Sequence, residues 1–364
     1  MEVKTTRIPE PNLRTFTENV FLAMGCPEND AHLAADVLIK SDLRGIDSHG
    51  VARLAGYVRL WDKKRINANP FIRVVHETPS TATVDGDAGL GLVVAPFAMT
   101  IALKKAEQSG SGWVSVKNSN HFGIAAYHAL MAVEKDMIGM AMTNASPLVA
   151  PTFSKERMLG TNPICYGFPA GNYPPVIIDM ATSTAANGKL EVAQRKQRPI
   201  PSGWVQQADG TPSTNPSALS SGGSLLPLGG DRDHGSHKGY ALGSAVDILS
   251  AVLSGASYGP WAPPFVAFLE PKDDQPGEGL GHFLGAMRVD GFRPVEDYKA
   301  NMDRWIERFQ HAERIDPAQR VIIPGEPEFE AETINRIQGI PLVESVIGDL
   351  RDLAVRFNIK TLEI

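Results

Sequence analysis

The chain has 364 residues, of which 43% are hydrophobic and 21% charged, with a formal net charge of −6. That is ordinary globular composition, at a length that allows two domains. The acidic balance offers no field for nucleic acid or anionic lipid, and no apolar run approaches the ~20 residues of a membrane helix.

In chain order, residues 9–65 carry helical periodicity. In "EPNLRTFTENVFLAMG", Leu13, Phe16, Val20, Phe21 and Met24 share one stripe, and Gly25 can adopt the positive φ that ends a helix. "PENDAHLAADVLIKSDLRG" repeats the plan, with Pro27 and Asp30 near the start and Gly45 as the stop. "VARLAGYVRLWDKKR" predicts a third amphipathic helix, with Val51, Leu54, Val58 and Trp61 facing inward.

From about residue 76 the texture changes. "TATVDGDAGLGLVVAPFAMTIALKKAEQSG" predicts a strand, a Gly-rich turn and a helix closed by Gly110. "GWVSVKNSNHFG" is a strand entering a polar loop, "AAYHALMAVEKD" a helix, and "MIGMAMTNAS" and "PPVIIDMATST" are strands. This alternation marks an α/β domain. Asp209-Gly210 in "WVQQADGTPST" suits a hairpin turn. Residues 216–239 form a long loop, 236–255 a helix, and 294–356 return to amphipathic helices. Two cysteines, Cys26 and Cys165, make no disulfide framework. With a start, "MEVKTTRIPEPNL", that lacks a signal-peptide pattern, they point to a reducing cytoplasm.

"GDAGLG", residues 86–91, is nearest to the dinucleotide fingerprint, but its glycines are wrongly spaced and no acidic residue follows at the right distance. A Rossmann domain is therefore not expected. His234, His237 and His282 are the set a zinc hydrolase would use, though the first two lie in a Gly-rich loop with no Cys near them. Lys238, where that loop enters a helix, is either solvated or meets an anion together with free helix N–H groups. His121 in "NSNHFG" stands at a strand-to-loop exit, placed either for chemistry or to cap the next helix.

"GIDSHGVARL" carries the sharpest ambiguity. Asp47 or Ser48 would make a helix N-cap, which leaves His49 and Arg53 unexplained, one helical turn apart on the same face. An Arg can hold a carboxylate through two parallel bonds while a His exchanges a proton with the neighbouring oxygen. That pairing suits a 2-hydroxy or 2-keto acid.

These residues sit in "DLRGIDSHGVARL", "NSNHFG", "GTNPICYGFPA", "DMATSTAANGK", "GSHKGYAL" and "GHFLGAMRVDGF", in that order over nearly the whole chain. The sequence thereby resembles the malate/L-lactate dehydrogenase family, the type 2 group without a Rossmann domain, which includes ureidoglycolate, sulfolactate and diketogulonate oxidoreductases. The resemblance implies an α/β cofactor-binding domain over residues 76–294, with a mixed, largely antiparallel sheet. Beside it would lie a helical domain formed by both chain ends, residues 1–75 and 295–364. The implied reaction is hydride transfer between NAD, with NADP as the alternative, and a small 2-hydroxy or 2-keto acid. Malate and oxaloacetate come first, then lactate or a cyclic imine carboxylate. A homodimer with its active site near the subunit interface is implied too.

By motif, Ser48, His49 and Arg53 would line the substrate pocket with His121 facing them. Arg53 would hold the carboxylate, Ser48 would bond the reacting oxygen, and either histidine would be the acid/base. Asn162, Asp179, Met180, Ala181, Thr182 and Ser183 would meet the cofactor, as would His237, Lys238, Gly325, Glu326 and Pro327; no metal is implied. Asp231 and Asp233 would repel a 2′-phosphate and favour NAD. A dicarboxylate needs a second contact, for which Arg44, Arg59 and Lys117 are candidates.

Overall fold

A computed structural model of the chain describes residues 5–195 and 197–361. It opens with strand β1 (Thr5–Ile8) and helices α1 (Glu10–Ala23), α2 (Glu28–Leu43) and α3 (Leu54–Asp62). Gly25 and Gly45 end the first two helices at φ +95° and +73°, the conformation glycine was expected to supply. Then come β2 (Arg73–Glu77), β3 (Thr81–Asp85), α4 (Gly91–Ser109), β4 (Ser111–Ser119) and α5 (Ala125–Val133). Next are β5 (Met137–Thr143), β6 (Ile164–Phe168) and β7 (Val176–Met180). An excursion follows with α6 (Asn187–Arg195) and the short strands β8 (Val205–Gln206), β9 (Pro212–Ser213) and β10 (Ser224–Leu225). α7 (Ser236–Asp247) runs on through a π turn at Ile248–Val252. The chain finishes with β11 (Leu280–Arg288), α8 (Val295–Gln310), α9 (Glu326–Gln338), β12 (Ile340–Val343) and α10 (Glu344–Phe357).

Seven strands bond in the order β2-β3-β4-β11-β5-β6-β7, and only the β3/β4 pair is parallel. This is the mixed, largely antiparallel sheet expected, with α4 as the crossover that a parallel pair requires. α4 and α5 cover one face, burying Val94, Met99, Ala129 and Val133 against Val84, Val114, Ala141 and Leu284. They pack close because the strands offer glycine: a Cβ on Gly112 would sit 2.0 Å from the Ala102 carbonyl oxygen, and one on Gly139 2.3 Å from that of Ala129. On the other face, Val246 of α7 packs on Met142 and Ile164.

A separate apolar cluster unites the chain ends, with Leu13, Val20, Leu38, Leu54 and Tyr57 against Ile340, Leu350 and Leu353. β1 and β12 pair antiparallel beside it. α8 packs elsewhere, through Ile306 against Val176 and Ile323. The Asp209-Gly210 turn does join a hairpin, β8 to β9. Among the described residues, no helix is long and apolar enough to cross a membrane.

Two local expectations are corrected. The helix expected from Val51 starts only at Leu54, and Asp47–His49 and Val51–Arg53 form two 3₁₀ turns before it. β2, β6 and β11 also join the sheet without having been anticipated as strands.

Candidate active site

The two 3₁₀ turns have one cause. Asp42, close to the end of α2, is 3% exposed, and its Oδ2 accepts the Val51 N–H at 2.8 Å. A Cβ on Gly50 would lie 1.9 Å from Asp42 Oδ1, so glycine alone lets the carboxyl reach the backbone. Burial pushes the Asp42 pKa up to about 8, against the opposing pull of the Val51 bond. Neither Asp47 nor Ser48 caps α3, because this internal carboxyl organises the segment instead.

The arrangement turns Ser48, His49 and Arg53 toward one another. Ser48 Oγ lies 2.9 Å from His49 Nδ1, and Arg53 Nε donates to the Ser48 carbonyl at 2.5 Å. His121, just beyond β4, brings its ring over that of His49, with centroids 5.6 Å apart and planes at 20°. Tyr57 Oη is 2.6 Å from His121 Nδ1, and the Phe265 ring lies 4.7 Å from the His121 ring. Gly188 in α6 closes another side, where a Cβ would sit 3.3 Å from Ser48 Cβ and 3.6 Å from Arg53 Nη2.

Both imidazoles are half-buried. Desolvation, reinforced by the Arg53 charge, lowers His49 to about 4. The same burial, with His49 and Arg53 beside it, holds His121 well below the ordinary histidine range. Both rings are therefore neutral near pH 7. Each Nδ1 is engaged, by Ser48 or by Tyr57, which leaves Nε2 free of protein partners among the described residues. A neutral imidazole beside a guanidinium can take a proton from a hydroxyl whose neighbouring carboxylate the guanidinium holds.

Tyr57, Phe265 and Gly188 were not singled out from the sequence. Tyr57 had a readable signal, since it stands four residues after Arg53 and so on its side of α3. Phe265 had none. It is placed by long-range bonds, from Arg59 to its carbonyl, from Arg65 to the Pro264 carbonyl at 2.9 Å, and from its own N–H to Ser146 Oγ at 2.8 Å.

The residues implicated in cofactor binding gather around the exit of β7. Asn162, wholly buried, accepts from Ala145 N at 3.2 Å and donates to the Gly243 carbonyl at 3.0 Å. Thr182 donates to the Thr161 and Asn162 carbonyls, both at 3.1 Å, and Ser183 to that of Ala185 at 2.9 Å. These three side chains are spent on holding α7 and the loop to the sheet. Asp179 keeps solvent access while accepting the Ala126 N–H at 2.8 Å, and Met180 and Ala181 are half-buried.

The first turn of α7 docks here through Gly239, where a Cβ would lie 2.3 Å from the Leu228 carbonyl oxygen; Leu228 N in turn bonds Thr182 O at 2.9 Å. His237 Nδ1 is 2.7 Å from Arg232 Nη1, whereas Lys238 is exposed and forms no ion pair among the described residues. Gly325, at φ +92°, abuts Ile177 of β7, and Pro327 lies in the first turn of α9. The Glu326 carboxylate is occupied by Ile323 N at 3.0 Å and by Gln310 and Arg320. An ammonium without an ion pair among the described residues, at a helix start with half-buried apolar groups nearby, fits a phosphate-bearing dinucleotide.

Two groups fail to assemble. His282 is buried between Thr143 and Ser119 at 2.8 and 2.7 Å, and His234 is held by Asp231 at 2.7 Å. No cluster of three or more metal-ligating residues exists among the described residues. The cations considered for a second carboxylate are engaged or buried. Arg44 lies buried under Phe329, with one Nη 3.4 Å from Glu332 and its Nε and other Nη without a hydrogen-bond partner among the described residues. Arg59 bonds the Phe265 carbonyl, and Lys117 pairs with Glu278.

Comparison with known proteins meets this geometry. The family model described as malate/L-lactate dehydrogenase matches residues 8–351. The chain belongs to that family. The malate dehydrogenase of Pyrococcus abyssi is 43% identical, over 98% of this chain and 97% of that one. The L-sulfolactate dehydrogenase of Methanocaldococcus jannaschii is 37% identical over 94% of each. The solved malate dehydrogenase of Pyrococcus horikoshii OT3 superposes with a TM-score of 0.90 at 39% identity, covering 100% of this chain and 99% of that one. The chain is accordingly an oxidoreductase of the 2-hydroxy acid dehydrogenase type, working with a nicotinamide cofactor on a small molecule. Membership of a family without a Rossmann domain also accounts for the missing glycine fingerprint.

Proposed function

We propose that this family member oxidises malate to oxaloacetate and catalyses the reverse reduction, with lactate as a secondary substrate. The observation that carries the reading is the convergence of His49, His121 and Arg53 on one small volume beside Ser48. A bound nicotinamide would supply or accept the hydride. Arg53, whose Nε is spent on Ser48, has no other partner among the described residues, which leaves both Nη groups to grip the substrate carboxylate in parallel. Ser48 bonds the reacting oxygen. One of the two imidazoles takes the hydroxyl proton at Nε2 in oxidation and returns it to the carbonyl oxygen in reduction. Positioned proton transfer of this kind is worth about 10²–10⁴-fold, and fixing the carboxylate adds to it.

Asp179 to Ser183, with Asn162, shape the cofactor's seat at the β7 exit, and His237, Lys238 and the Gly325–Pro327 turn border it. The acids Asp231 and Asp233 in the neighbouring loop support NAD over NADP. A homodimer is supported by α7 and its π turn. Their outer face shows Tyr240, Ile248 and Val252, exposed at 39%, 54% and 49%, and the only charge from 240 to 252, Asp247, is buried. Residues 1–75 and 295–364 serve as the helical domain and 76–294 as the cofactor domain; the cluster joining α1–α3 to β12 and α10 supports this, while α8 packs on Val176 of the cofactor domain. A cytoplasmic setting is supported by the two buried free thiols, Cys26 and Cys165.

One absorbance screen tests the reading, following NADH and NADPH oxidation with oxaloacetate, pyruvate and other 2-keto acids. Rapid NADH oxidation with oxaloacetate is expected. No oxidation of either cofactor with any 2-keto acid would refute the proposal.

A further inference from the structure

We propose that the cavity of about 450 Å³ bounded by Thr184, Trp204, Gly229, Gly230, Asp231 and His234 receives the adenine and ribose of the dinucleotide, with the Asp231 carboxylate accepting the ribose hydroxyls and excluding a 2′-phosphate. This rests on the nicotinamide-cofactor reading above and assigns the end of that cofactor farthest from the chemistry.

The volume falls in the range of small-molecule sites. Three of its lining residues are glycines, Gly203, Gly229 and Gly230, with φ of +86°, +101° and +79°, conformations that a side chain would resist. Trp204 supplies a broad aromatic surface, half-buried, with Lys189 Nζ 5.8 Å from its ring centre. An indole face of this kind accepts a nucleobase without reading its edges.

Asp231 is the acid that faces this space, whereas its neighbour Asp233 does not line it. Its carboxylate accepts the His234 backbone N–H at 2.8 Å and stands 2.7 Å from His234 Nδ1. Those bonds hold it below the usual carboxylate range, so it is ionised and can only accept. A vicinal diol offers two donors to such a group, while a phosphate offers only like charge. One neighbouring cation is diverted, since Arg232 is turned to His237 at 2.7 Å, while Lys189 stays at the Trp204 ring.

Position completes the case. Thr184 borders the cavity, and Gly188, four residues on, faces Ser48 and Arg53. Four residues span at most about 14 Å, a gap one dinucleotide can bridge.

The test is calorimetric titration, independent of turnover, of the wild type and Asp231→Asn with NADH, NADPH and reduced nicotinamide mononucleotide. Asparagine keeps an acceptor for His234 N–H and removes only the charge. The wild type should bind NADH about tenfold or more tighter than NADPH, the variant should lose most of that ratio, and the mononucleotide should bind both proteins alike. An unchanged ratio, or a mononucleotide affinity that moves with that of NADH, overturns the assignment while leaving the cofactor reading intact. A wild type that binds neither dinucleotide removes both.

Discussion

His49 and His121 stack ring on ring, 5.6 Å apart, although one precedes α3 and the other follows β4. Two imidazoles this close cannot both carry charge cheaply: burial and the Arg53 charge lower both, and His49 lowers His121 further. The pair is a natural place for one ring to move a proton while the other positions it.

His49→Ala and His121→Ala should each reduce turnover, and one of them by more than about tenfold, the range for a positioned acid/base. Steady-state rates with malate and with oxaloacetate decide which ring carries the proton. Full activity in both variants would dismiss the role assigned to the pair.

Arg53→Ala should act mainly on KM, because the guanidinium grips the carboxylate in the ground state and the transition state alike. Losing a hydrogen bond to a charged group costs about 1.5–3 kcal/mol, or roughly ten- to a hundredfold in KM. A fall in kcat at constant KM contradicts this.

The pH profile of kcat/KM for malate oxidation should stay flat well below the ordinary histidine range. The base works unprotonated, and His49 titrates at about 4 in the folded protein, so lowering the pH removes active enzyme only near that value. An acidic limb at about 6.5, the value of a free imidazole, would show that neither buried ring is the base.

Asp42 should impose its own pH dependence on stability. Its carboxyl titrates at about 8 in the fold, against about 4 in an unfolded chain. The folded state thus holds a proton that the unfolded state releases, and this contribution, complete below about pH 4, fades as pH rises through 8. Urea midpoints should fall between pH 6 and pH 9 (roughly bracketing that titration) for the wild type, and less so for Asp42→Asn. Equal slopes in the two proteins would show that Asp42 is ionised throughout.

Ile248→Asp, which places a charge in the middle of the exposed apolar face of α7, should convert a dimer to a monomer in sedimentation. Unaltered assembly would move the interface elsewhere.

Much of this was legible in local pattern. The stripes of α1 and α2, the stops at Gly25 and Gly45, the hairpin at Asp209-Gly210 and the six motifs all follow from residue type and spacing. β11 was not legible. "LGHFLGAMR" has two glycines and no β-branched residue, and it becomes a strand because β4 and β5 bond it on both sides. Its glycines answer to distant partners, since a Cβ on Gly281 would lie 2.1 Å from the Ser250 carbonyl oxygen and one on Gly285 2.4 Å from the Trp113 ring.

The chain's order of residues determined which groups are available, a guanidinium and two imidazoles among them, and which faces of its helices turn inward, because periodicity is a local property. Tertiary structure alone decided that Asp42 would reach past Gly50 to shape the turn, that Tyr57 and Phe265 would close on His121, that Arg44 would be buried, and that Arg59 and Lys117 would be occupied. Those outcomes depend on which distant segments share a core, and no local window of sequence contains that information.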